Sequence, residues 1–181
     1  MRRRTVLGSA IAGAFASVAA VVRPTTAQEA TPSPFTGHPQ VGVWMVNSPI
    51  GRAIAVYSAD GSVVTALAAS QAGPQGVAFS STQIGAWEST GARGAHLTVV
   101  QLLSDEAGAY AGSVTVDAYQ EVSEDGQTWM SGEGSSVTIR DAAHSVVQVI
   151  GDDGQVATAV RMTPGFAGFP EATPTAGTPA S

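Results

Sequence analysis

The chain contains no cysteine and no lysine, and only 12% of its 181 residues are charged. Without cysteine there are no disulfides, no thiolate metal sites and no cysteine nucleophiles. All eight basic residues are arginine, against 14 acidic residues, so the net charge is −6. Because nucleic-acid binding requires a cationic footprint, we expect no nucleic-acid partner. The apolar fraction of 44% is ordinary, which predicts one folded domain at this length.

The first 27 residues have the features of an export signal. Residues 1–4 are cationic, residues 6–22 are apolar and rich in Ala and Gly, and Ala27 ends a stretch suited to cleavage. Residues 3–7 (RRTVL) are similar to the twin-arginine export pattern, with an ordinary secretory signal as the alternative. The apolar run is too short and too weakly apolar for a good membrane span. We therefore expect this segment to be removed and the protein to be exported.

Removal of the signal makes the protein strongly acidic. Four Arg are left against all 14 acidic residues, which is a net charge of −10. Such a surface repels anionic lipid headgroups and nucleic acid. We expect the mature protein to have no integral membrane span and to lie free in solution outside the cytoplasm, and the sequence leaves its oligomeric state open.

Two segments rich in Thr, Pro and Ala are predicted to be disordered arms on either side of one domain. Residues 28–40 and 163–181 each contain the tetrapeptide Glu-Ala-Thr-Pro and few residues to bury. In the second segment, Phe166 and Phe169 either dock on the domain or are isolated apolar residues. We predict a flexible linker at 28–40, a folded domain at 41–162 and a flexible tail at 163–181.

Within the predicted domain, turn signals alternate with runs rich in Val, Ile, Thr and aromatic residues. The Asp-Gly dipeptides at 60–61, 125–126 and 153–154 are typical of β-hairpin turns. The runs alternate with period two, and no stretch shows the caps and 3.6-residue period of a long helix. We predict nine strands, at about 41–47, 52–58, 62–68, 83–89, 95–104, 109–122, 128–140, 144–150 and 155–162.

This pattern predicts an all-β fold, an antiparallel meander that closes into an eight- or nine-stranded barrel. Closure hides the edges that an open sheet would expose. The alternative, a two-sheet sandwich, needs longer crossover connections, and only residues 69–82 are long enough for one. Hairpin alternation places this loop at one end of the barrel with the turns at Pro49, Asp105 and Asp141. We expect that end to be an open mouth, because long loops are often binding loops.

The chain enters the domain through Gly42-Val43-Trp44. This Gly-x-Trp resembles the opening motif of the lipocalins and the wider calycin group of barrels. The resemblance implies an up-and-down barrel with Trp44 plugging one end. It also implies an Arg near the last strand that packs on the Trp, and Arg161 is the matching residue.

Three tryptophans are candidates for lining a ligand site. Trp44 is in phase with Gly42 and Val46 and is expected to face inward. Packing in the core is favoured over stacking on a ligand, because buried aromatic rings mostly supply packing area. Trp87 and Trp129 are interpreted in the same way, and one of the three is a candidate for lining a cavity.

Glu133 is the most unusual carboxylate of the chain. Alternation along the predicted strand 128–140 places it beside core residues, where a carboxylate could bind a polar ligand group or act as an acid. However, Gly132 and Gly134 flank it, and glycine in a strand often marks a bulge that shifts the phase. We therefore favour an exposed Glu133 over a buried one.

No pattern of catalytic or metal-binding residues is evident. Asp117 and Glu121 are predicted on a solvated outer face. His38, His96 and His144 lack the spacing of a zinc site, and the acidic turn residues lack the spacing of a calcium loop. We expect no metal and no cofactor.

These observations leave three hypotheses for function. The favoured one is a non-enzymatic exported barrel that binds a small, mostly apolar molecule in its interior. The alternatives are a small barrel enzyme of the allene-oxide-cyclase or dirigent type, which directs a reactive intermediate by shape, and a surface interaction module. A buried Glu133 or His96 beside a dry cavity would favour the enzyme. A solid core with an exposed apolar patch would favour the interaction module.

Overall fold

The computed structural model describes residues 33–49, 51–73, 76–151, 156–166 and 168. The predicted signal, the first part of the predicted linker, the Asp153 turn and most of the predicted tail lie outside the described residues. The chain divides into two units, Met1–Thr31 and Pro32–Ser181, and the described residues all belong to the second.

The described residues form twelve β-strands and no helix, which confirms the predicted all-β class. No helix in this part of the chain is long and apolar enough to cross a membrane. The strands are β1 (Gly42–Ser48), β2 (Gly51–Tyr57), β3 (Ser62–Ala66), β4 (Ser70–Gly73), β5 (Gly76–Ser80), β6 (Gln83–Ser89), β7 (Gly94–Ser104), β8 (Tyr110–Val122), β9 (Thr128–Ser131), β10 (Ser136–Asp141), β11 (Val146–Ile150) and β12 (Thr158–Arg161).

Eight of these strands close into an antiparallel barrel, as predicted. The order around the ring is β8-β9-β12-β1-β2-β3-β6-β7, and β7 pairs with β8 to complete it. The β7–β8 ladder runs from Gly94 opposite Glu121 to Ser104 opposite Tyr110. Because every strand of the ring has a neighbour on both sides, the ring has no free edge of the kind that invites aggregation.

Four strands lie outside the ring, as additions to the predicted meander. β4 and β5 form a hairpin within residues 69–82, which were predicted as a loop, and β5 pairs with the end of β7. The predicted strand 128–140 is two strands, because residues 132–135 leave the ladder. Gly134 there has a φ of +83°, which glycine adopts without strain. β10 then pairs with the first half of β8 and carries β11 on its other side.

The two ends of the barrel carry different connections. The turns at Asp60, Arg93 and Asp125 lie at one end, which we call the closed end. The turns at Pro49 and Asp105 lie at the other end, which we call the mouth. The hairpins β4–β5 and β10–β11 both branch from the mouth halves of β7 and β8. This is the distribution that hairpin alternation predicts.

Side chains alternate between the barrel interior and its outer surface. On β7, Ala95, Leu97 and Val99 are buried, whereas Thr98 and Val100, which follow Leu97 and Val99, are exposed. This is the period-two alternation of a strand with one solvated face. The apolar core of the barrel is built from such inward positions.

Residues 33–41 pack against the closed end, ahead of the predicted start of the domain. The ring of Phe35 lies 4.5 Å from that of Trp87, and its backbone N–H donates to the carbonyl of Ala59 at 3.0 Å. Gln40 is completely buried. The described part of the predicted linker is therefore folded onto the barrel.

Candidate functional site

Trp44 plugs the closed end and is fully buried. Its indole N–H donates to the backbone carbonyl of Gln40 at 2.8 Å. Its ring and that of Trp129 pack edge to face, with 6.5 Å between the ring centroids. The guanidinium of Arg161 lies 4.2 Å from the centroid of the Trp44 ring. These two side chains meet because residues 44 and 161 are directly opposite each other in the β1–β12 ladder.

Arg161 ties together several segments of the closed end. Its guanidinium donates to the backbone carbonyls of Gly126, at 2.6 Å, of Val41, at 3.0 Å, and of Pro39. Burial lowers the pKa of this guanidinium, and the three carbonyls with the indole face supply the partners that a half-buried cation requires. Gly42 makes room for it, because a Cβ at residue 42 would lie 2.5 Å from Nη1 of Arg161.

Trp87 also belongs to the closed end. Its ring contacts those of Phe35, His38 and Tyr57, and its indole N–H donates to the carbonyl of Ser58 at 2.9 Å. Trp87 therefore has the packing role that the sequence favours for the tryptophans, and so does Trp44.

The interior toward the mouth contains a cavity of about 160 Å³. Near the mouth it is bordered by Ser48, Pro49 and Ile150. Alanine occupies inward positions where a larger side chain would fill this space, which leaves that part of the barrel open. The wall is formed mainly by small or apolar side chains, among them Val46, Ala55, Leu97, Val99, Val116 and Ala118.

A buried polar network forms the floor of the cavity, toward the closed end. The hydroxyl of Tyr57 and Nε2 of Gln40 both donate to Oε1 of Gln120, each at 2.9 Å. Tyr57 and Gln120 line the cavity. Burial raises the pKa of the Tyr57 hydroxyl, so this group stays protonated and acts as a donor rather than as a base.

Two nitrogen atoms of the lining residues have no hydrogen-bond partner within the described residues. They are Nε2 of Gln83, at the mouth end of β6, and Nε1 of Trp129, near the floor. Trp129 is therefore the one predicted tryptophan that lines the cavity. Gln83 was not among the residues predicted from the sequence, although its phase with Trp87 along β6 indicates that it faces inward.

Glu133 does not line the described cavity. It lies in the exposed turn between β9 and β10, with Gly132 and Gly134 on either side. Its candidacy depended on a continuous strand through residues 128–140, and the glycines interrupt that strand. The exposed position favoured from the flanking glycines is the one that the structure has.

His96 lies on the outer surface, between the inward-facing Ala95 and Leu97 of β7. Its Nε2 is 3.1 Å from Oδ1 of Asp117, and its Nδ1 is 3.3 Å from Oε1 of Glu88. The hydrogen bond to Asp117 is the main cause that raises the pKa of His96 above its ordinary value. Neither His96 nor Glu133 therefore reaches the cavity.

The acidic turn residues of the closed end hydrogen-bond within their own turns. Oδ1 of Asp60 accepts from the backbone N–H and the hydroxyl of Ser62, and Oδ1 of Asp125 accepts from the hydroxyl of Ser123. These bonds lower the pKa of both aspartates. Within the described part of the chain, no group of three or more His, Asp and Glu is placed to hold a metal ion.

No family model, no curated protein and no solved structure matches this chain. The closed eight-stranded barrel and its interior are therefore the observations that bear on function. Of the predicted site residues, Trp129 lines the cavity, Trp44 and Trp87 pack the closed end, and Glu133 is exposed.

Proposed function

We propose that this protein is an exported, lipocalin-like barrel that binds a small apolar molecule in its interior. The observation that carries the proposal is the cavity of about 160 Å³ with its mainly apolar wall. A cavity of roughly 150 Å³ with an apolar lining admits a molecule of the size of benzene. Ligand sites are usually mostly apolar with a few polar groups, and this cavity has that composition.

The lipocalin-like part of the proposal is supported by the closed end. Gly42-Val43-Trp44 lies on the first strand of a closed antiparallel ring, and Arg161 of the last strand stacks on Trp44. Gly42 is required there because a Cβ would collide with the guanidinium. The motif thus has a physical role in plugging one end, which leaves the other end for entry.

Export is supported by the sequence of residues 1–27. N-terminal sequencing of the protein from the extracytoplasmic fraction should find a mature chain that begins at Gln28. Replacing Arg3 and Arg4 together by Lys should abolish export by the twin-arginine route, whereas export by the ordinary secretory route should continue. A protein that stays in the cytoplasm with residues 1–27 attached would contradict this part of the proposal.

A binding function is favoured over catalysis because of what surrounds the cavity. Among the described residues that line it, Tyr57 is the one titratable group, and burial raises the pKa of its hydroxyl. His96 and Glu133, whose burial would favour a barrel enzyme, lie on the outer surface and in an exposed turn.

Ligand binding is tested with a substitution that places a larger side chain inside the cavity. Val99 lines the cavity, and the adjacent Val100 is 42% exposed on the outer surface. Val99→Phe should weaken binding of ethylbenzene more than about tenfold, equivalent to about 1.4 kcal/mol, because its ring occupies the ligand's space. Val100→Phe adds the same ring outside and should leave the affinity unchanged.

Calorimetric titration measures the affinity, and circular dichroism verifies that each variant is folded. If Val99→Phe does not fold, Ala118→Val is a smaller step into the same cavity. A wild-type protein that binds neither ethylbenzene nor an environment-sensitive apolar dye contradicts the proposal.

A second candidate function, a surface interaction module, is favoured by a separate observation. Large apolar side chains lie side by side on the outer face of β2, β3, β6 and β7, with Val64 opposite Val56 and Ile84, and Ile84 opposite Val100. Contiguous exposed apolar patches of this kind often mark interaction sites. Self-association in sedimentation velocity that Ile84→Lys abolishes would support this function. A monomer at every concentration would contradict self-association through this face.

A further inference from the structure

The cavity wall carries hydrogen-bonding capacity that the protein itself does not use. Nε2 of Gln83 and Nε1 of Trp129 have no partner within the described residues, although the two side chains are only 4% and 2% exposed. Leaving a buried donor without a partner is costly, and most buried polar atoms in folded proteins are paired. A third unpartnered atom among the described residues, Oε1 of Gln40, belongs to a residue that does not line the cavity, whereas both nitrogen atoms belong to residues that do.

Both of these nitrogen atoms are hydrogen-bond donors, so a ligand that pairs with them must supply an acceptor. An indole nitrogen can only donate, and so can the amide nitrogen of Gln83. On the floor, Oε1 of Gln120 already accepts two hydrogen bonds, from Tyr57 and Gln40. A ligand that satisfies this cavity therefore carries a hydrogen-bond acceptor.

The charge of the wall restricts the acceptor further. Among the described lining residues there is no Arg, His, Asp or Glu, and the chain has no Lys. A carboxylate in this cavity would lose its hydration without gaining a cationic partner, which is strongly unfavourable. A carbonyl oxygen accepts hydrogen bonds without carrying a charge.

We infer that the cavity selects a small uncharged molecule whose carbonyl oxygen accepts a hydrogen bond from Gln83, from Trp129 or from both. This inference rests on the proposed ligand-binding function and narrows its ligand class from apolar molecules to carbonyl compounds with an apolar body. The alanine-rich wall holds the body, and the two donors hold the oxygen.

Three probes with related skeletons test the selection. Acetophenone replaces one methylene of ethylbenzene by a carbonyl, and benzoate adds a charge. Acetophenone should bind the wild-type protein about three- to tenfold more tightly than ethylbenzene, because one net hydrogen bond is gained. Benzoate should bind most weakly of the three.

The outcomes separate this inference from the proposed function. Binding of ethylbenzene without any preference for acetophenone overturns the inference and leaves the binding function intact. Benzoate binding more tightly than acetophenone also overturns it. Binding of none of the three contradicts the proposed function, and the inference with it.

Two substitutions test whether these donors cause the preference. Trp129→Phe removes the N–H and keeps an aromatic ring, and Gln83→Met removes the amide and keeps the length of the side chain. The substitution of a donor that bonds the ligand should bring the affinity ratio of acetophenone to ethylbenzene close to one. The ratio is the readout because a general loosening of the cavity changes both affinities together.

The matched control is Gln148→Met on β11, where the side chain is exposed. It makes the same chemical change outside the cavity and should leave the ratio unchanged. A double variant, Gln83→Met with Trp129→Phe, that folds and keeps the wild-type ratio shows that the inference is wrong.

Discussion

The closed end and the mouth of this barrel are built from the same strands but differ in what occupies the interior. At the closed end, the indole N–H groups of Trp44 and Trp87 both donate to backbone carbonyls. Near the cavity floor, Nε1 of Trp129 has no partner within the described residues. Tryptophan thus packs the closed end with its N–H hydrogen-bonded, and it lines the cavity with an N–H that has no partner within the described residues. The residues around each ring determine which of these roles it has.

The size of the neighbouring inward residues causes this difference. Arg161 and residues 33–41 fill the space around Trp44 and Trp87. Around the cavity, inward positions carry Ala53, Ala55 and Ala118, which leave the space unfilled. Because protein interiors pack closely, an unfilled volume of this size is unusual and calls for a functional explanation.

Emptying the closed end should produce the largest effect. Trp44→Ala removes a fully buried ring, its hydrogen bond to Gln40 and the surface on which Arg161 stacks. We expect it to lower the free energy of unfolding by about 3–5 kcal/mol, measured by urea denaturation. Met130→Ala, which truncates a side chain that is 57% exposed, is the control and should change stability by no more than about 0.5 kcal/mol. A loss below about 1 kcal/mol for Trp44→Ala would show that the closed end is not the tightly packed part.

Two glycines compare the ends directly. Gly42 at the closed end and Gly51 at the mouth have φ values of +142° and +123°, but a Cβ has open space only at Gly51. Gly51→Ala should cost about 1 kcal/mol from backbone strain alone. Gly42→Ala should cost about 1 kcal/mol more, because Arg161 must give up its hydrogen bond to Val41. Equal losses in urea denaturation would mean that Arg161 moves without penalty.

The smallest effect is expected on the outer wall, away from both ends. The raised pKa of His96 means that its protonated form stabilises the folded state. This contribution is fully present below the pKa of the unfolded state and is lost as the pH rises through the folded-state pKa. His96→Gln should therefore lose more stability at about pH 5.5 than at about pH 8.5, by less than about 1 kcal/mol because the ion pairs are exposed.

The control for this pH profile is Gln148→Asn on β11, where an exposed side chain without a titratable group is replaced by another. It should show no comparable difference between the two pH values. A stability loss for His96→Gln that is larger at the higher pH than at the lower one would contradict the prediction.

Much of the ring was predictable from local patterns. The alternation of Ala95, Leu97 and Val99 with polar neighbours identified β7, and the Asp-Gly turns identified one end of the barrel. The same alternation failed at residues 128–140, because it continues through Gly132 and Gly134 although the chain leaves the ladder there. The β4–β5 hairpin was missed because residues 69–82 carry no Asn-Gly or Asp-Gly signal.

The cavity was less predictable than the ring. Many Ala, Gly, Ser and Val at strand positions are compatible with a narrow filled barrel and with an open one. Strand number and strand tilt determine whether a filled barrel or an open barrel results, and these are properties of the closed sheet. For the same reason the sequence did not decide which of the three tryptophans lines the cavity, and it did not identify Gln83 as a lining residue.

Strand positions, the face of each side chain and the sorting of turns between two ends follow from period-two alternation and turn chemistry, which act over a few neighbouring residues. Enclosed volume and hydrogen-bond satisfaction depend on residues that are far apart in the chain. Gln40 meets Gln120, and Arg161 meets Pro39, only after the ring has closed. The packing of the closed end, the cavity and the two donors without partners therefore depend on the tertiary structure.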